Sequence, residues 1–239
     1  MRDRTVKAKV IVLTLGLAGA AWLVAIVRMR GMDMGPGSDL GSLSFFAGTW
    51  SVMMAAMMLP SALPAIVSFA DVVPRRRAAA TSLFAMSYVA IWAVVGIIAF
   101  AAFRAIHGAD LGFLAWDRAG AWVAGTAVVV AGLYELTPLK HASLGRCRAN
   151  ADRRVANPAV AGLRYGANCV GCSAGLMLVL FALGVMSITW MIVVAALVFI
   201  EKVPRIGAAL PTPIALLLGA VGIWIALDAS SLPGLTSPM

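Results

Sequence analysis

The chain has 239 residues, of which 62% are hydrophobic and 12% charged, outside the soluble globular range of about 45–50% apolar and about 25% charged. Its net charge of +9 does not point to nucleic acid, because the basic residues are divided among separate loops and no module of aromatic and basic residues accompanies them. Three cysteines cannot all pair within one chain and are too few for a disulfide scaffold.

Residues 10–27 are uncharged and follow a basic start containing Arg2, Arg4, Lys7 and Lys9. That run is longer than a signal-peptide core of about 7–15 residues, so it is read as a first membrane span. Further spans are expected near 43–70, 78–103, 119–136, 165–184, 187–202 and 206–227, crossing a hydrocarbon core about 30 Å thick. The stretch 165–200 holds 36 residues without a charge. A single helix of that length would reach about 54 Å, so it is divided by a turn near 184–187. Pro60, Pro64, Pro211 and Pro213 are expected to bend or interrupt helices.

With seven spans and a cytoplasmic amino terminus, fifteen Lys and Arg fall on the cytoplasmic side and four, Arg28, Arg30, Arg104 and Arg118, on the other. This asymmetry is what the positive-inside rule requires. The expectation is therefore an all-α, polytopic transmembrane helical bundle forming one domain over residues 1–239, with the lipid bilayer as its first partner. Gly171-x-x-x-Gly175 is a small-residue face that permits close helix approach, and Gly125 and Gly132 can act similarly in the fourth span. No internal repeat, Walker A motif, HExxH or nucleophile elbow is present, so an ATP-driven or hydrolytic enzyme is not expected.

The second span contains Trp50-Ser51-Val52-Met53-Met54-Ala55-Ala56-Met57-Met58-Leu59-Pro60. At about 100° per residue the four methionines cover an arc of about 140°, one thioether face. Thioethers suit copper(I), whereas magnesium and calcium require oxygen. The alternative is that methionine serves as flexible core filler beside tryptophan. Met32-Asp33-Met34, in a loop rich in glycine, offers two more thioethers and a carboxylate on the external side.

Cys169-Val170-Gly171-Cys172 opens the fifth span. Its two sulfurs lie about 60° apart around a helix, suited to one soft ion or to a redox pair. Cys147, with His141 nearby in the preceding basic segment, is a third candidate ligand; simple packing at a glycine-rich crossing is the alternative. Glu135, an acid at membrane depth, is either a ligand or the structural partner of Lys140 or Lys202. Met177, Met186 and Met191 are read mainly as core residues.

Several of these elements occur together in a known pattern: Trp50-x-x-Met53-Met54-x-Ala56-Met57-Met58-Leu59-Pro60, Tyr134-Glu135-x-x-Pro138-x-Lys140, Cys169-x-Gly171-Cys172, Gly184-x-Met186 and Glu201-Lys202-x-x-Pro204. In them the chain resembles, over nearly its whole length, a bacterial domain-of-unknown-function family of predicted metal-binding integral membrane proteins. The resemblance implies a metal-related role and the bacterial cytoplasmic membrane. Ser143 and Ser173 depart from the family pattern, which usually has cysteine at both positions, and this shifts weight toward the methionine face.

The reading that follows is binding or translocation of copper(I). Met32 and Met34 capture the ion, Met53, Met54, Met57 and Met58 carry it, and Cys169, Cys172 and Cys147 receive it, with metal-delivery or membrane-complex proteins as partners. Two rivals remain: a noncatalytic scaffold subunit of a membrane complex and, behind it, a thiol-redox protein using Cys169 and Cys172. No thioredoxin-like context surrounds the CxxC, and His107 and His141 are the only histidines.

Overall fold

The computed structural model describes residues 2–29, 41–72, 77–108, 116–149, 157–184, 187–203 and 209–227. Within them the chain is all-α: α1 (Arg2–Met29), α2 (Leu43–Val72), α3 (Arg77–Gly108), α4 (Trp116–Glu135), α5 (Pro138–Arg148), α6 (Pro158–Leu183), α7 (Ile188–Lys202) and α8 (Pro211–Leu227).

Four helices, α1, α2, α3 and α6, are long and apolar enough to cross a membrane, and α4 with α5 makes a fifth if that bent pair is one span. Helices α7 and α8 are shorter, with 15 and 17 residues. The apolar windows of α2 and α6 are 61% and 56% buried, against 17% for α1 and 22% for α3. That difference places α2 and α6 at the centre. Helix α2 packs on α1, α3 and α7, α6 packs on α3, α4, α5 and α7, and α8 packs on α4. Large apolar side chains on the outer helices, among them Leu13 and Leu23 on α1, Met86 on α3 and Leu216 and Trp224 on α8, point outward, as a hydrocarbon solvent permits.

Pro60 and Pro64 lie inside α2 and do not interrupt it, since the helix runs from Leu43 to Val72. Neighbouring helices enclose this segment, and Ala56, Met58, Ala62 and Ala65 are all buried. Pro211 and Pro213 stand in the first turn of α8, where a missing N–H costs little.

Helix α4 ends at Glu135. A continuing helix would need an N–H from residue 138 on the Tyr134 carbonyl, and Pro138 has none. Thr137 supplies the replacement: its backbone N–H and its Oγ1 both donate to the Tyr134 oxygen, at 3.0 and 2.7 Å. The same Oγ1 accepts from the Lys140 N–H and caps α5. The chain therefore turns by 63° between α4 and α5. Part of the segment expected to be a basic loop is thus helical, and α6 begins at Pro158, capped by Asn157, instead of at 165.

The break expected within 165–200 falls at Gly184, whose φ of 118° suits glycine, and α7 starts at Ile188. Close helix approach occurs at the expected glycines. A β-carbon on Gly125 would lie 2.5 Å from the Gly222 carbonyl oxygen, and one on Gly132 would lie 2.9 Å from that of Ala215, both on α8. On α6, a β-carbon on Gly171 would lie 2.7 Å from Ser143 Oγ, and one on Gly175 would lie 2.8 Å from the Glu135 carboxylate and 3.0 Å from the Ala131 carbonyl oxygen.

Candidate functional site

All four methionines of α2 face the bundle. Met53, Met54, Met57 and Met58 are each at most 2% exposed. Trp50, one turn earlier, donates its indole N–H to the Trp92 carbonyl at 2.7 Å and stacks on Phe181. The thioether face is therefore dry and lies against the central helices. Met177 and Met191 are buried core residues; Met32, Met34 and Met186 lie outside the described residues.

The three thiols come from two helices. Cys169 and Cys172 lie one turn apart on α6, Cys147 faces them from α5, and all three are buried and free. The sulfurs of Cys172 and Cys147 are 3.6 Å apart, while Cys172 also donates to the Cys169 carbonyl. Because Cys172 sits against Cys147, and Cys169 is engaged elsewhere, mild oxidation should join Cys147 to Cys172 before it joins the two cysteines of the CxxC. Peptide mapping of the oxidised protein checks this; a Cys169–Cys172 product appearing first would contradict it.

Cys169 is the meeting point of the sulfur cluster and the methionine helix. The Tyr88 hydroxyl from α3 lies 3.2 Å from its sulfur and donates to the Met58 carbonyl at 3.4 Å. The Lys202 ammonium from α7 donates both to the Cys169 sulfur, at 3.1 Å, and to Ser61 Oγ, at 2.9 Å. Ser61 in turn donates to the same Met58 carbonyl at 2.9 Å. An ammonium has three donors and no acceptor capacity, so the sulfur is the acceptor in this contact. Tyr88 and Ser61 were not singled out from sequence; both lie in apolar helices where one hydroxyl carries no spacing signal.

A second polar cluster involves Glu135. Lys140, wholly buried, lies 2.6 Å from Glu135 Oε2 and 2.8 Å from Glu201 Oε2. The first contact is an ion pair without hydrogen-bond alignment and the second is a hydrogen bond. Of the two partners considered for Glu135, Lys140 is the one it meets, and Lys202 turns instead to Cys169. Arg148 completes the junction by donating Nη2 to the Glu201 carbonyl at 2.6 Å. Tyr134 donates its hydroxyl to the Gly171 carbonyl at 2.6 Å and ties α4 to α6.

Among the described residues, no group of three or more His, Cys, Asp and Glu side chains is spaced to hold a metal ion. A closed tetrahedral site of the structural zinc type is therefore not formed by these side chains. What is present is a soft donor set: a pair of adjacent thiols, a third thiol one helical turn away, and, on α2, a buried thioether face whose Met58 backbone carbonyl shares the Tyr88 hydroxyl with Cys169.

The chain matches the family model PpoB2, described as a copper chaperone, over residues 47–225. It belongs to that family. The matched region contains the α2 methionines, all three cysteines and the Glu135, Lys140 and Glu201 cluster. No curated protein and no solved structure matches the chain.

Proposed function

We propose that the protein is an integral membrane copper(I) chaperone of the bacterial cytoplasmic membrane. It passes the ion, as cargo, between the thioethers of Met53, Met54, Met57 and Met58 and the thiols of Cys169, Cys172 and Cys147. The observation that carries this reading is the union of a dry, inward-facing thioether helix with a buried thiol cluster, joined at Cys169 through Tyr88, Ser61 and Lys202. Membership of a copper chaperone family supports the metal. Sulfur donors supply the preference, because thioethers and thiolates favour copper(I) over the hard ions that need oxygen.

In this reading the protein binds and transfers without catalysing a reaction. Thioethers hold copper(I) without losing a proton and bind it weakly enough to let it go; thiols give up protons and hold it more tightly. Transfer from α2 to the cysteines is therefore downhill. Seven crossings with a cytoplasmic amino terminus place the cysteines toward the cytoplasm and the 32–34 segment outside, where Met32 and Met34 would meet the arriving ion. Glu135 is set apart from the ligands because its carboxylate is engaged by Lys140.

Anaerobic loading with copper(I), followed by metal quantification by mass spectrometry, tests the proposal on detergent-purified protein and on a variant with leucine at Met53, Met54, Met57 and Met58. Leucine conserves volume, so each change costs under about 1.5 kcal/mol and the bundle should persist. The expected result is stoichiometric copper in the wild type and a substantial loss in the variant. Equal copper in both, or none in either, would favour a scaffold subunit whose methionines only pack.

A further inference from the structure

The Glu135, Lys140 and Glu201 cluster has an unbalanced charge. Two carboxylates share one ammonium, and all three side chains are at most 2% exposed. Glu135 Oε1 and Glu201 Oε1 are buried without a hydrogen-bond partner, although buried polar atoms are almost always paired. Fully ionised, the cluster would hold one uncompensated negative charge in a low-dielectric interior, a costly state. Among the described residues no other cation forms an ion pair with either carboxylate. Arg148 is committed to the Glu201 carbonyl, Lys202 to Cys169 and Ser61, and Tyr134 to the Gly171 carbonyl. From α6 the cluster meets Gly175, and α8, packed on α4, carries no titratable side chain.

We propose that Glu135, Lys140 and Glu201 form a buried proton-binding site that holds one exchangeable proton on its carboxylates, and that this site is energetically linked to the thiol cluster. Three shared helices provide the linkage. Helix α5 carries both Lys140 and Cys147, α7 ends in Glu201 beside the Lys202 that contacts Cys169, and α6 carries Cys172 one turn from the Gly175 that seats Glu135. Copper(I) entering between Cys147 and Cys172 as two thiolates displaces two thiol protons and brings one positive charge. The thiol cluster thereby gains one net negative charge, and the neighbouring proton is held more tightly. By reciprocity, the bound proton favours the loaded cluster. This linkage rests on the copper reading, whereas the proton site does not.

The test is pH-dependent infrared difference spectroscopy of the full chain in lipid nanodiscs. First, the metal-free protein should show a carbonyl band of a buried carboxylic acid that grows on acidification and shifts in heavy water. Labelling with 13C-glutamate should move it. Glu135→Gln and Glu201→Gln should each abolish it, since one remaining carboxylate is neutralised by Lys140. An absent band, or one that survives both substitutions, overturns the proton site; the label decides the matter in the wild type should a variant fail to fold.

Second, the same titration is repeated with copper(I) alone, its binding measured in parallel. The band should then appear at a pH higher by about one unit, a tenfold tighter proton. With copper bound, an unmoved or lowered midpoint overturns the linkage. If copper does not bind, the proposed function fails and takes the linkage with it, while the metal-free titration still decides the proton site.

Discussion

Lys140→Met should destabilise the protein by about 3–5 kcal/mol, the usual cost of removing one partner from a buried ion pair and leaving its counter-charge behind. Here two carboxylates are left behind, both buried, on the ends of α4 and α7. Loss of the ammonium also frees α5 from two neighbours at once. Thermal unfolding in detergent followed by size-exclusion chromatography measures the effect. The loss should be greatest at high pH and shrink on acidification, because protons can then neutralise the orphaned carboxylates. Adding Glu135→Gln and Glu201→Gln to the Lys140→Met chain should recover much of the stability. No recovery would mean that Lys140 acts by filling space and not by its charge.

Gly162→Val should separate α3 from α6 and disturb the thiol cluster with them. A β-carbon at Gly162 would run into the backbone carbonyl of Phe84, and into Ser87 Cβ at 3.0 Å. Backbone cannot rotate aside as the tip of a side chain can, so the helices must move apart. Tyr88 follows Phe84 by one turn and touches Cys169, so the displacement reaches the site. Overpacking of this kind costs about 1–3 kcal/mol. Copper retention should fall together with melting temperature. By contrast, Gly16→Ala and Gly19→Ala on α1, where added β-carbons meet nothing within 4 Å, should leave both unchanged. Normal copper retention in Gly162→Val would show that the α3 contact does not shape the thiol cluster.

Much of this organisation was legible in the sequence because periodicity and chain punctuation carry physical meaning. The angular spread of Met53, Met54, Met57 and Met58 defined one face, and burial of all four follows from that face turning to the bundle. The length of the uncharged stretch 165–200 required a break, and Gly184 supplies it. Gly125, Gly132, Gly171 and Gly175 marked helix crossings because only a missing side chain allows backbones so close.

Other features were hidden for equally physical reasons. Helix α5 is short and basic, so a search for apolar runs passes over it; its signal was local, in the Thr137-Pro138 cap. The early start of α6 was obscured by Arg164, an exposed residue on an otherwise apolar helix. Lys140, rather than Lys202, became the partner of Glu135 because the 63° turn at Thr137 leaves its ammonium against the end of α4. Such a choice depends on a bend angle that no one-dimensional pattern encodes. The hydroxyls of Tyr88 and Ser61 meet Cys169 and Lys202 across four helices, a juxtaposition visible only after packing.

The reciprocal glycine contact between α4 and α8 bears on how the chain is made. A β-carbon on Gly222 would lie 2.7 Å from the Gly125 carbonyl oxygen, against 2.5 Å in the reverse direction, yet the two residues are separated by 97 positions in order of synthesis. At common translation rates, α4 would wait about 5–20 s for its partner. During that interval α5, α6 and α7 are made and α6 can pack on α4, but the Gly125 face still lacks its α8 partner. The partners of Glu135 on α5 and α6 are therefore made before α8, and only the Gly125 and Gly132 contacts of α4 wait until the last described helix closes over it.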